Sequence, residues 1–155
     1  MASAVTTQKI GSKFSFEALF HDPDTASAQY VTSDGGTTFY WRDMRDYEWF
    51  GVAAANSTLT GNGLTAVEIW AADDTSGTNA QLIVASGTLS GTAVGNGAFV
   101  ECTAAQIREV SAAQGKTLRY VTAKITVANS ADEAAVAFLR GLAKHPQLNL
   151  TPATF

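Results

Sequence analysis

The sequence predicts a mostly-β chain: an antiparallel β-sandwich or jelly-roll-like barrel with one short helix at about 104–114 and extended terminal arms. Three observations predict it. Apolar and polar residues alternate with period two in several short runs, as in strands with one buried face. Clusters of Gly, Asn, Asp and Ser fall between those runs, which is turn and loop chemistry. Strand and helix signals do not alternate, which disfavours a doubly wound sheet.

Residues 1–12 are small and polar, with Val5 and Ile10 as isolated apolar residues, and read as an extended arm. Phe14, Phe16, Ala18 and Phe20 then alternate with Ser15, Glu17 and Leu19, a half-buried strand with aromatic residues on one side. His21-Asp22-Pro23-Asp24 ends it, because Pro23 has no amide hydrogen to give a ladder. Tyr30-Val31-Thr32 and residues 37–41 read as a hairpin about Ser33-Asp34-Gly35-Gly36, whose glycines tolerate positive φ. Arg42-Asp43-Met44-Arg45-Asp46 is the densest charge cluster and reads as a solvated connection.

Strands follow at 47–55, 65–72 and 81–85, with a glycine loop at 59–64 and a turn at 73–79 between them. In the second, Val67 and Ile69 share one face, Glu68 and Trp70 the other. Residues 86–97 form a loop rich in Gly, Ser and Thr, with a short strand possible at 92–94, and 99–102 is a strand running into the helix. Thr103 stands three residues before Gln106, the spacing of a capping box. Ile107 and Val110 give a narrow apolar stripe, and Gly115 supplies the left-handed residue that ends a helix. Residues 117–128 are the strongest strand, with Val121, Ala123, Ile125 and Val127 on one face. The alanine-rich run 131–143 has helical propensity. Its place after a long strand and the polar turn at 129–132 favours a returning strand at 135–139 instead. The expected organisation is thus an arm at 1–12, one sandwich domain at 13–143, and an extended tail at 144–155 carrying Leu148, Leu150 and Phe155.

Composition narrows the function classes. Only 15% of the 155 residues are charged, against about 25% in typical chains. The surface is therefore built largely from small and neutral polar residues, which do little to repel a neighbouring protein. The net charge is −4 and the ten Lys plus Arg are scattered singly. No basic stripe follows a phosphate backbone, so neither nucleic acid nor a membrane surface is an expected partner. No stretch approaches the roughly 18 apolar residues that span a bilayer. The first residues lack the basic end and apolar stretch of a secretion signal. Asn56-Ser57-Thr58 and Asn149-Leu150-Thr151 match the glycosylation acceptor pattern and are read as chance.

Groups able to do chemistry are few. His21, Asp22 and Asp24, or Asp73, Asp74 and Asn79, could surround a cation, but neither set has the ligand spacing of a calcium loop. Cys102 reads as a small buried hydrophobe, and with two remote histidines, His21 and His145, it makes a poor zinc set. No Gly-x-Ser-x-Gly elbow is present. Gly61-Asn62-Gly63 is too short for a phosphate loop and leads into a strand. Glu17, Glu48, Glu68 and Glu101 read as the solvent side of half-buried strands and not as an acid–base pair. No catalytic residue, metal or cofactor is expected, and the chain is not expected to be an enzyme. Trp41, Trp49 and Trp70 remain as core bulk or subunit contact, with stacking on sugar rings as the alternative.

The runs Leu59-Thr60-Gly61-Asn62-Gly63-Leu64-Thr65, Glu68-Ile69, Asp74-Thr75-Ser76-Gly77-Thr78-Asn79-Ala80, Ser86-Gly87, Glu101-Cys102-Thr103-Ala104 and Leu118-Arg119-Tyr120-Val121 form a cadence over roughly 45–142. It resembles small β-sandwich structural proteins encoded among the head genes of tailed bacteriophages, often capsid decoration (cement) proteins. The resemblance implies a homotrimer on the virion surface that binds the major capsid protein and clamps its lattice, made in the host cytoplasm. It supplies no catalytic residues. The interface residues expected on this reading are Val5, Ile10, Trp41, Trp49, Leu148, Leu150 and Phe155. A tail-tube or fibre-associated virion protein and a carbohydrate-binding module are the alternatives.

Overall fold

The computed structural model describes residues 15–21, 28–32, 38–90 and 92–142. In chain order the elements are β1 (Ser15–His21), β2 (Gln29–Tyr30), β3 (Arg42–Asp43), β4 (Trp49–Thr58), β5 (Leu64–Ala72), β6 (Gln81–Ala85), β7 (Gly97–Thr103), α1 (Ala104–Gln114), β8 (Tyr120–Val127) and β9 (Glu133–Gly141). They build two antiparallel sheets. The first has the order β1-β9-β4-β7; the second has the order β2-β8-β5-β6, with β3 also paired to β8. The chain is a mostly-β sandwich with one short helix. The arms expected at 1–12 and 144–155 lie outside the described residues.

Burial follows the alternation that the sequence carries. Val67, Ile69 and Ala71 of β5 and Val121, Ala123, Ile125 and Val127 of β8 face Phe50, Val52 and Ala54 of β4 and Val136 and Phe138 of β9 in one core. The Phe50 and Phe138 rings meet edge to face, 5.2 Å between centroids, at its centre. Fully burying a side chain of this size contributes roughly 1.5–3 kcal/mol, so the period-two pattern fixes which face of each strand turns inward. The run at 131–143 is a strand for this reason: Ala134, Val136 and Phe138 alternate inward on β9. That gain outweighs the few tenths of a kcal/mol per residue by which alanine favours a helix.

Helix α1 occupies the span that its cap residues mark. The Gln106 amide donates to Thr103 Oγ1 while the Thr103 amide donates to Gln106 Oε1, and Gly115 closes the helix at φ 61°. Ile107 is its buried anchor, with Val110 half-buried.

Three expectations are corrected. The aromatic side of β1 is the outer side. Glu17 shares its cross-strand row with Phe138 and Val52 of the core, whereas Phe16 shares one with Leu139 and Gly51 and is 50% exposed. Glu17 therefore marks the inward side of an edge strand and not the solvent side. An inward carboxylate is tolerated there because two arginines meet it. The charge cluster at 42–46 is not a free connection either: Arg42 and Asp43 form β3 on β8, and Met44 is buried. No strand forms at 92–94. The hairpin at 30–41 is present as a single bridge, Thr32 to Phe39, with Tyr40 N donating to Val31 O at 2.8 Å; residues 33–37 lie outside the described residues.

Candidate interaction surface

The two outer faces of the sandwich are built differently. On the second sheet, Tyr30, Lys124 and Glu68 form one outward row, with Trp70 and Thr122 in an outward row beside it. The segment carrying β2 and β3 covers this face. Tyr30 meets Trp41 at 5.3 Å, Trp70 at 6.0 Å and Phe39 at 5.3 Å between centroids. Lys124 Nζ stands 4.7 Å from the Trp70 ring centroid and 5.2 Å from that of Tyr30. Trp70 Nε1 donates to Glu68 at 2.7 Å, and Thr122 Oγ1 donates to Tyr40 O at 2.8 Å beneath the cover. Trp41 is 4% exposed, packed on Gly77, and its Nε1 has no hydrogen-bond partner among the described residues.

On the first sheet nothing among the described residues covers the outer face. Its rows read Phe16–Leu139–Gly51–Glu101, then Ala18–Ala137–Ala53–Phe99. Trp49 lies in this surface. Its indole and the Phe99 ring fold over Gly51, where a Cβ would stand 2.7 Å from one and 2.8 Å from the other, so only glycine admits them. Trp49 Nε1 donates to Glu101 Oε2 at 2.9 Å. Phe99 is 54% exposed. The sequence pattern offered a signal for this face, the aromatic side of β1, but not its direction.

The two ends of the sandwich also differ. At one end, Arg42 of the second sheet and Arg140 of the first meet Glu17 at 2.5 and 3.0 Å, and Asp43 pairs with Arg119 and Arg45. Arg42 also lies over the Tyr40 ring and Arg140 over that of Tyr47. The Arg119 hydrogen bond holds the Asp43 carboxyl well below its ordinary range, against a smaller upward push from burial. Ser15 and Arg140 pair at this end, so the polypeptide enters β1 and leaves β9 side by side here.

The other end is closed by two side chains that sequence reasoning passed over. Asp132 is fully buried in the β8–β9 turn. Its Oδ1 accepts the amides of Thr60 at 2.6 Å and Gly61 at 2.8 Å, and its Oδ2 accepts that of Gly63 at 3.0 Å. Burial pushes this carboxyl up, and the three amides and the Thr60 hydroxyl more than reverse it, so it lies below the ordinary value. Asn56 Oδ1 accepts Leu64 N at 2.7 Å while its Nδ2 donates to Ala93 O at 3.2 Å. Gly63 stands at φ 67°, where a Cβ would lie 2.6 Å from Asn56 Oδ1. The glycine loop thus does cradle an anion, the chain's own Asp132. Asn56 is 2% exposed, so in the folded chain it is no glycan acceptor.

The remaining candidates are tied up locally or held apart. Asp74 Oδ1 accepts the amides of Ser76 and Thr78, and Asp73 accepts Thr117 N and Asn79 Nδ2. These carboxylates shape their own turn. Glu17 faces the core edge, Glu68 the second sheet's outer face and Glu101 the first sheet's, so none of the three opposes another across a cleft. Burial pushes the Cys102 thiol up to about 12, and Glu101 adds to it, so the thiol stays protonated. Two shallow clefts lie among the described residues, about 240 Å³ beside Leu64 and Leu89 and about 200 Å³ between Met44, Ile107 and Leu118, rimmed by Arg45, Arg108 and Arg119. Neither gathers a nucleophile with a base. Of the expected interface residues, Trp41 is in the second sheet's cover and Trp49 on the bare face. Val5, Ile10, Leu148, Leu150 and Phe155 lie outside the described residues, as do Asp22, Asp24 and His145.

No protein-family model matches this sequence, and no curated protein and no solved structure matches it. The class defined by the fold is an antiparallel β-sandwich, of which one outer face is covered and the other uncovered among the described residues.

Proposed function

We propose that this chain is a structural component of a tailed-bacteriophage virion, a capsid decoration protein that binds the major capsid protein lattice and steadies it. The observation that carries the reading is the side-by-side entry into β1 and exit from β9 at one end of the sandwich. Segments 1–14 and 143–155 are thereby tethered to a single end of a rigid body. Two binding segments on one body raise avidity without strong individual contacts, and extended segments can add to exposed sheet edges. The low charge and the protonated, buried thiol fit a protein whose contacts are with other proteins.

The test is the position of the chain in purified particles by electron microscopy, with capsid occupancy measured after deletion of residues 1–12. Density on the shell and lowered occupancy support the reading. Density in the tail favours a tail-tube or fibre component, and unchanged occupancy removes the role of the N-terminal segment.

One observation favours a second reading, a carbohydrate-binding module: the aromatic group of Tyr30, Phe39 and Trp70, of which Phe39 is 44% exposed. Glycan-array binding abolished by Trp70→Ala, with the fold intact, would establish it.

A further inference from the structure

We infer that the outer face of the first sheet, uncovered among the described residues, is a self-association surface, occupied by the same face of a second copy of this chain. The inference stands apart from the virion role and can hold or fail without it.

Three features argue for a second copy. The first is charge. Each copy carries a net −4, so contact between copies is opposed wherever acidic groups meet. At the centre of this face the outward residues are Phe, Ala, Leu, Gly and Trp, and its ionisable groups lie at its margins: Glu101 at the β7 edge, bonded to Trp49 Nε1, and Glu133 at the far end of β9, bonded to Thr58 Oγ1. Two copies can therefore meet across it without like charges opposed at its centre. A partner selected by charge would gain nothing there.

The second feature is shape. The face is a step. Its high part is at the charged end, where Trp49 and Phe99 lie over Gly51 beside Leu139 and Phe16. Across β9, β4 and β7 its low part is alanine and glycine, Ala53, Ala55, Ala135 and Gly97, and Phe20 of the edge strand β1 stands in the same row. A two-fold axis lying in the face and across the strands places the high part of each copy over the low part of the other. Such an isologous contact closes at two copies. The stacked sheets would interdigitate as sheets do inside a sandwich, about 10 Å apart.

The third is area. Four strands about 4.8 Å apart, each about seven residues at about 3.3 Å, give a footprint of roughly 450 Å². Two copies bury roughly 900 Å² between them, and the relief of the step adds to that, which reaches the roughly 1,000 Å² at which specific interfaces begin.

The experiment is solution mass by light scattering and sedimentation equilibrium on the full chain over a wide concentration range. Three variants accompany it: Ala135→Arg at an exposed position on the low part, Ala18→Lys at an exposed position on β1, and Leu82→Arg on β6 of the other sheet. The expected result is a wild-type dimer, which Ala135→Arg and Ala18→Lys each weaken about a hundredfold in dissociation constant while leaving the urea midpoint of the monomer unchanged. Leu82→Arg leaves the dimer intact. A wild-type chain that stays monomeric at every concentration overturns the inference. So does an oligomer of any size that survives both face substitutions. Two independent exposed positions keep the test decisive if one variant fails to fold.

Discussion

The two ends of this sandwich are closed by opposite means. At the end where the chain enters β1 and leaves β9, four arginines meet Glu17 and Asp43 in partly exposed ion pairs. At the other end, one carboxylate and one carboxamide, Asp132 and Asn56, receive backbone amides out of contact with water. The end with more charges is the weaker closure. Long side chains lose rotamer freedom when they pair, and water and salt compete for them, so an exposed pair contributes about 0–1 kcal/mol. Amides fixed by a loop lose nothing further when a carboxylate meets them, and hydrogen bonds to a charged group contribute about 1.5–3 kcal/mol. The weaker closure sits where the terminal segments join the sandwich.

The comparison breaks most readily at Asp132. Asp132→Ala strands the amides of Thr60, Gly61 and Gly63 and is expected to cost about 3 kcal/mol in urea unfolding. A cost under about 1 kcal/mol would put the two ends on a par. The pH dependence has a definite sign. The folded carboxyl lies below the roughly 3.9 of an unfolded Asp. Its stabilisation is therefore complete above that value and is lost as pH falls through the folded one. The stability gap between wild type and Asp132→Asn should narrow as pH is lowered from 7 to below about 4. The lowered Asp43 group is common to both proteins and cancels from the difference.

Asn56→Ala should cost about 2 kcal/mol, since it leaves Leu64 N and Ala93 O without these partners beside a buried strand end. Amide hydrogen exchange should then quicken in the 59–64 loop and not around β3. The smallest effect belongs to the charged end. Glu17→Gln is expected to cost about 1 kcal/mol or less. Raising the ionic strength to about 1 M should lower wild-type stability by a similar amount or less, and that of Glu17→Gln by less still, because the screening length then falls to about 3 Å, comparable with the separation of the paired charges. A larger salt effect at the Asp132 end would reverse the comparison.

Much of this was legible along the chain. The helix was written in full: Thr103, Gln106 and Gly115 lie within one segment, and each acts on backbone a few residues away. The strands β4, β5, β6, β8 and β9 were legible to within a few residues because alternation is local. The direction of β1 was not. Its two sides carry Phe and Ala against Ser, Glu and Leu, and the aromatic side reads as the buried one on hydrophobicity alone. The structure turns it outward because Arg42 and Arg140, distant in sequence, are placed to receive Glu17. The Asp132 cradle escaped for the same reason. Thr60 and Asp132 are 72 residues apart, and each looked like ordinary turn chemistry alone.

The sequence by itself determined the helix, the strands β4, β5, β6, β8 and β9 and the core faces of β5 and β8, because helix caps, turns and period-two burial depend on neighbours within a few residues. The tertiary structure alone decided which loop holds which carboxylate, which side of an edge strand meets water, and which outer face is covered. Those depend on how the two sheets are ordered and stacked. That ordering is set by the joint burial of residues far apart in the chain, a sum no local pattern contains.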